Sequence, residues 1–344
     1  MGWTVDGKIE KILEKGGSLD GLSEKEAVLL LSLPLGSREV YALMETANRI
    51  SRKRFGRKGE NHFHIGLNAS PCPFNCSFCS LAQKAGVYTE SVEFSHEEIV
   101  RWAKWGESRS ADALNIMTTG TYSFDRLLEV GRLLSREVST PLVANTRDIN
   151  HAEGEALLKA GFVGAYHALR LGEGTNTPFK IDRRIHTIRV LKEVGLLWMN
   201  CVEPVGPEHD ATEIARLMVL ARDHGAVYSG VMRRINFPGS PFERIGMISE
   251  LELARMVAVS RLVMGRVPKA HCTHEPHNAS LLAGANLLFP EVGSSPRDAK
   301  ADTGKGRGKS LDVCRQMLAD MDWDPDLPSN CFGEKTRSAR AIGG

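Results

Sequence analysis

The sequence predicts an α/β fold, a (βα)8 TIM-type barrel with an N-terminal helical extension and a C-terminal tail, and three observations carry that expectation. From His62 onward, short apolar runs alternate with amphipathic helical patterns, the signature of βαβ units on a parallel sheet. Eight such alternations follow one another with mostly short connections, enough to close a ring. Charged and glycine-rich residues cluster just after each apolar run, where a barrel gathers its reaction mouth.

Residues 1–58 read as helices: Ser23 with Glu26 forms a capping box, and the apolar run 27–33 follows it. The barrel is expected over 59–323. Its strands fall at 63–67, 113–117, 142–145, 164–169, 198–203, 227–232, 269–273 and 286–290, with helical stretches at 124–137, 153–160, 184–194, 211–224 and 251–264. Two connections are long, 69–94 with three cysteines and 292–309 with many Gly, Lys and Arg; loops of that length in a compact domain are usually functional or disordered. A tail, 324–344, closes the chain and is a candidate lid over an auxiliary cluster.

With 344 residues, 42% hydrophobic and 25% charged, the composition is that of a globular protein with a sizeable core. The formal net charge of +2 gives no general case for nucleic acid, and the run Arg52, Lys53, Arg54, Arg57, Lys58 reads as a solvated helix end. No apolar stretch approaches the ~18 residues of a membrane span, and Asp6 stands where a myristoylation signal needs a hydroxyl, so no membrane partner is expected. Seven cysteines, three of them within eight positions, suit a reducing cytoplasm better than a disulfide framework. Metal chemistry is the leading explanation.

The three lie in Ser70-Pro71-Cys72-Pro73-Phe74-Asn75-Cys76-Ser77-Phe78-Cys79, a C-x3-C-x2-C spacing directly after the first predicted strand. Three thiolates this close can wrap three corners of an iron–sulfur cubane, whereas structural zinc wants a fourth ligand. The segment resembles the radical S-adenosylmethionine superfamily, down to the aromatic Phe78 before the third cysteine, where the family packs a ring near the adenine. That resemblance implies a [4Fe-4S] cluster on Cys72, Cys76 and Cys79 as the catalytic centre. Its open iron would chelate S-adenosylmethionine, and reductive cleavage of the sulfonium would give a 5′-deoxyadenosyl radical for hydrogen abstraction. Over most of the chain the likeness extends to the branch of biotin synthase, methylornithine synthase and the hydrogenase maturase, through the helical preface and the closing run His274-Glu275-Pro276-His277-Asn278 to Asn286.

By the same resemblance Thr119 and Gly120, after the second strand, would meet the methionine amino group, Arg170 the cofactor carboxylate, and Glu173 its ribose or ammonium. Asn145 and Glu203, at the ends of the third and fifth strands, are further cofactor-binding candidates. Of the four spare cysteines, Cys272, Cys314 and Cys331, with Ser338 as a labile oxygen ligand, form a candidate auxiliary iron–sulfur site. The tail at Cys331 to Arg340 is similar to the Arg-Ser end of lipoyl synthases. The implied activity is sulfur insertion into an octanoyl-lysyl group of a lipoyl-domain protein, with a second radical S-adenosylmethionine subunit and a low-potential donor such as ferredoxin or flavodoxin as partners. Biotin synthase-like chemistry on a small molecule, or methylornithine synthase-like or maturase-like chemistry without sulfur transfer, is the alternative. The basic stretches 52–58 and 300–309 are the candidate docking surfaces for a protein substrate.

Overall fold

The structure, a computed structural model, describes residues 5–333. Three helices lead in, α1 (Gly7–Gly17), α2 (Glu24–Leu31) and α3 (Arg38–Phe55), and the expected capping box forms: Ser23 N donates to the Glu26 carboxylate at 2.7 Å. Strands and helices then alternate. The first four strands are Glu60–Gly66, Ala113–Met117, Leu142–Asn145 and Phe162–Tyr166, the sixth is Tyr228–Arg233 and the seventh Ala270–Thr273. The fifth comes in two pieces, Leu197–Met199 and Val202–Val205, as does the eighth, Leu287–Leu288 and Glu291–Gly293. Between and after them run α4 (His96–Ser108), α5 (Phe124–Glu137), α6 (His151–Lys159), α7 (Ile181–Glu193), α8 (Ala211–Asp223), α9 (Glu250–Met264), α10 (Asn278–Leu282) and α11 (Leu311–Asp320).

The fifth strand closes the ring. Its first piece pairs parallel with the fourth strand and its second piece with the sixth, and across the gap Val227 N donates to Trp198 O (2.9 Å) and Asn200 N to Tyr228 O (3.2 Å). The first strand pairs with the second on one side and with both pieces of the eighth on the other. Along each strand the side chains alternate: Phe63, Ile65, Leu114, Ile116, Leu142 and Ala144 face the helices, whereas Ala113, Val143, Met199, Tyr228, Cys272 and Phe289 fill the barrel. The lead-in helices cover α8 and α9, so α9 is buried from Leu253 to Met264, with Arg255, Ser260 and Arg261 among its buried residues.

Several expectations shift. The first strand begins at Glu60, because acidic Glu60 and His62 face inward and broke the apolar pattern; the fourth lies over 162–166 rather than 164–169. The 69–94 connection carries a short antiparallel ribbon, Asn68–Ala69 with Val92–Glu93. The basic run 52–58 is not merely a solvated end: Arg52 stacks on Trp323 at 3.7 Å, Arg57 pairs with Asp322 (2.9 Å), and buried Lys58 pairs with Asp112 (2.7 Å). Arg52 and Arg57, with Lys58 Nζ donating to Pro325 O (3.0 Å), hold the chain that follows α11. It then crosses the N-terminal end of the barrel, where Ser329 Oγ and Asn330 N donate to the Glu60 carboxylate (2.8 and 2.6 Å). The described part of the tail is thus a plug under the barrel and not a lid over its mouth. Among the described residues no helix is long and apolar enough to cross a membrane.

Candidate active site

The C-terminal ends of all eight strands open into one cavity of about 1070 Å³, mouth included. A barrel places its chemistry there because the loops can vary without disturbing strand pairing. The first of these loops is held by its backbone. Cys72 N donates to Leu81 O (2.7 Å), Gln83 N to Cys72 O (2.9 Å) and Cys79 N to Cys76 O (3.0 Å). Asn75 takes the left-handed turn (φ +52°) that asparagine tolerates, donating to Pro73 O and accepting from Lys84 N, both at 2.8 Å. Ser77 N to Asn176 O and Ser80 N to Pro296 O pin the loop to its neighbours (2.8 and 2.9 Å).

None of these bonds uses a thiol. Cys72, Cys76 and Cys79 are free of disulfides and all three line the cavity. Burial, with Cys76 adding to it, pushes the Cys79 thiol up to about 12; burial also raises Cys76, against the pull of nearby Arg170. Thiols this buried lose their protons to a metal rather than to water, and the neighbouring guanidinium favours the resulting thiolate. The donor set therefore fits a group that takes three sulfurs and keeps one corner open.

Phe78 lines the cavity. Gly120 does too, for a specific reason: a Cβ there would lie 2.4 Å from the ring of Phe74, which packs edge-on against Phe179 (4.9 Å). Thr119 is committed elsewhere, its N–H donating to Asn68 Oδ1 (3.0 Å) and its Oγ1 accepting from Asn68 Nδ2 (2.8 Å). Asn145 and Arg170 stand on the wall, and Glu203 beneath them accepts from Tyr166 Oη (2.5 Å) and faces Arg170 Nε (3.5 Å). Glu173 is bonded within its own loop. Its carboxylate accepts from Arg170 N (2.8 Å) and Thr177 Oγ1 (2.7 Å) and faces Arg184 (3.5 Å), so it shapes the loop and is absent from the cavity wall.

The auxiliary set is not assembled either. Cys272 and Cys331 sit in the barrel interior, whereas Cys314, on the buried face of α11, belongs to the apolar layer outside the barrel; Ser338 lies outside the described residues. Instead Cys272 meets Cys201: burial and the adjacent Cys272 thiol push the Cys201 thiol well above its ordinary range. The candidate docking stretch 300–309 is folded inward in part, with Arg307 paired to buried Glu275 (2.7 Å) and Lys300 Nζ donating to Lys305 O (2.9 Å). Sequence reading missed His64, Tyr166, Arg184, Arg234, His274 and Arg297 on the wall. The inward alternation of Glu60, His62 and His64 was the available signal for the first of these.

No family model matches the chain. Among curated proteins it is similar to the biotin synthase of Acetivibrio thermocellus, 24% identical over 284 residues, 75% of this chain and 85% of the relative. The biotin synthase of Heliobacterium modesticaldum is 26% identical over 303 residues, 82% of this chain and 88% of the relative. Among solved structures, methylornithine synthase PylB superposes with a TM-score of 0.78 over 94% of this chain and 99% of its own, at 17% identity. The hydrogenase maturase HydG from Carboxydothermus hydrogenoformans gives 0.79 over 97% and 82%, also at 17% identity, so both attest the fold. The three free thiols at the barrel mouth, the closed ring and these relatives point the same way: the chain is similar to the biotin synthase-like branch of the radical S-adenosylmethionine superfamily.

Proposed function

We propose that this chain is a radical S-adenosylmethionine enzyme that works on a small polar substrate held inside the barrel. One observation carries the reading: three uncommitted thiols stand at the mouth of a closed barrel whose wall holds Arg170, Arg184, Arg234, Arg297, Glu203 and two histidines. When bound to Cys72, Cys76 and Cys79, a [4Fe-4S] cluster with one open iron supplies the site that chelates S-adenosylmethionine and the electron that breaks its carbon–sulfur bond. Arg170 offers a buried guanidinium to a carboxylate on that side of the cavity, held in place by Glu203. Phe74, Phe78 and Phe179 cover the mouth and keep water from the reacting carbon.

The test is anaerobic reconstitution, followed by an iron count and a measurement of 5′-deoxyadenosine after adding dithionite and S-adenosylmethionine. About four irons per chain with nucleoside release supports the reading; zinc alone, or no nucleoside, overturns it. A second reading is favoured by the adjoining Cys201 and Cys272 thiols inside the barrel. In it the chain inserts sulfur, in the manner of a lipoyl synthase, into an octanoyl-lysyl group, with an auxiliary cluster as donor and ferredoxin or flavodoxin and a second subunit as partners. About eight irons per chain, falling in Cys201→Ala and Cys272→Ala, and a thiolated octanoyl-lysyl peptide would support it. Four irons and an untouched peptide would remove it.

A further inference from the structure

His64, His274 and Glu291 come from three neighbouring staves: the first strand, the residue after the seventh, and the eighth, where Glu291 is the register partner of His64. Each offers one donor atom, and these atoms lie within 4.8 Å of one another. All three residues are buried, at 2%, 4% and 4% exposure. His64 Nε2 and both nitrogens of His274 have no hydrogen-bond partner. An unpaired buried polar atom is costly, and an orphaned nitrogen from each of two imidazoles beside one carboxylate calls for an occupant.

We infer that His64, His274 and Glu291 bind a divalent transition-metal ion, separate from the cysteine trio, with an open coordination position facing the cavity. Two imidazoles and one carboxylate on a rigid sheet form the donor set that takes ions such as Fe²⁺ or Zn²⁺ and leaves positions free. His274 stacks on Phe289 at 4.1 Å, which fixes the plane of its ring. Arg297, itself on the cavity wall, binds Glu291 and also faces Glu275 Nε to Oε1 (3.0 Å), orienting the carboxylate as outer partners of metal ligands do.

Charge identifies the class of ligand the open position takes. Around the site Glu203, Glu275 and Glu291 are paired with Arg170, Arg297 and Arg307, so these paired charges offset one another. A dication therefore leaves an excess of positive charge that a carboxylate-bearing small molecule would offset. Both His64 and His274 line the cavity from which such a molecule would reach the metal.

The experiment titrates the full-length, cluster-loaded protein with Co²⁺ under anaerobic conditions. The expected result is one saturable equivalent whose visible spectrum lacks thiolate-to-cobalt charge transfer, with the cluster absorbance unchanged. His64→Gln and His274→Gln should each weaken binding at least ~10-fold while retaining cluster content and thermal midpoint, and double substitution should abolish it. If a variant does not fold, competition of Zn²⁺ against Co²⁺ on the wild-type protein still reads the site. Absence of saturable binding, a spectrum with thiolate charge transfer, or undiminished binding in both folded variants overturns the proposal. None of these readouts depends on cleavage of S-adenosylmethionine.

Discussion

Glu60, His62 and Cys331 meet at one end of the barrel; His64, His274 and Glu291 meet toward the other; and His62 and His64 share one face of the same strand. The two clusters use nearly the same chemistry and are equally buried. They differ in what occupies their lone pairs. The Glu60 carboxylate accepts from Ser329 Oγ, Asn330 N, Cys331 N and His62, and although burial opposes its charge, His62 and Lys58 hold its pKa below the usual value. At the lower cluster His62 Nδ1 lacks a partner, whereas at the upper one His64 Nε2 and both nitrogens of His274 make no hydrogen bond, the His274 nitrogens lying 3.9 and 3.7 Å from the carboxylates of Glu203 and Glu291. Burial of polar groups alone therefore marks neither structure nor function; the tally of their partners does.

That contrast can be broken by substitution. The largest effect is expected at the mouth, where the three thiols form no disulfide. Cys76→Ala should reduce bound cluster iron and 5′-deoxyadenosine release to background while the thermal midpoint of the cluster-free protein barely moves, because no hydrogen bond is lost. A large fall in that midpoint would mean the thiol is structural. At the plug the outcome should invert. Glu60→Gln breaks a buried network and should cost about 2–4 kcal/mol in urea unfolding, with nucleoside release per cluster retained within about twofold. A selective loss of activity would place function at the lower end.

Gly120→Ala sharpens the comparison from the catalytic side. The added methyl meets the Phe74 ring at 2.4 Å, so the first loop must shift; an increase of about tenfold in the KM for S-adenosylmethionine, larger than the change in kcat, is expected. Ser329→Ala removes one hydrogen bond to Glu60 and should cost about 1 kcal/mol, read again by urea. The smallest effect is that of pH. His271 is held at about 3, by burial first and Arg261 second, and His167 at about 4, by burial and Arg184. Free imidazoles titrate near 6.5, so between that pH and about 4 the unfolded chain binds protons that the folded one does not. Stability is full above pH 6.5 and declines as pH falls through that window; His271→Gln should flatten the fall in thermal midpoint, and an unchanged slope would refute the assignment.

Much of the backbone organisation is legible in the sequence. The second and third strands and α5 lie at the positions their apolar periodicity indicates, because periods of two and 3.6 residues are local properties of a chain. The cysteine trio was legible for the same reason, since its spacing is contained in one loop. Positions that depend on an inward polar residue were less so: Glu60 and His62 hid the start of the first strand, and the gap at Asn200 and Cys201 hid the two-sided pairing of the fifth. Glu173 matched by order along the chain, but the fold commits its carboxylate to Thr177 and the Arg170 backbone.

The sequence by itself determined the alternation that makes a barrel, the helical preface, and three sulfurs placed to share one cluster. Only the tertiary structure decided that the last strand lies beside the first, bringing His64 to Glu291 and His274 across more than two hundred residues, and that Cys272 meets Cys201 rather than Cys314. The reason is closure. Neighbours created by a ring of hydrogen bonds have no spacing in the chain to announce them, and whether a buried nitrogen finds a partner is settled only when every stave is in place.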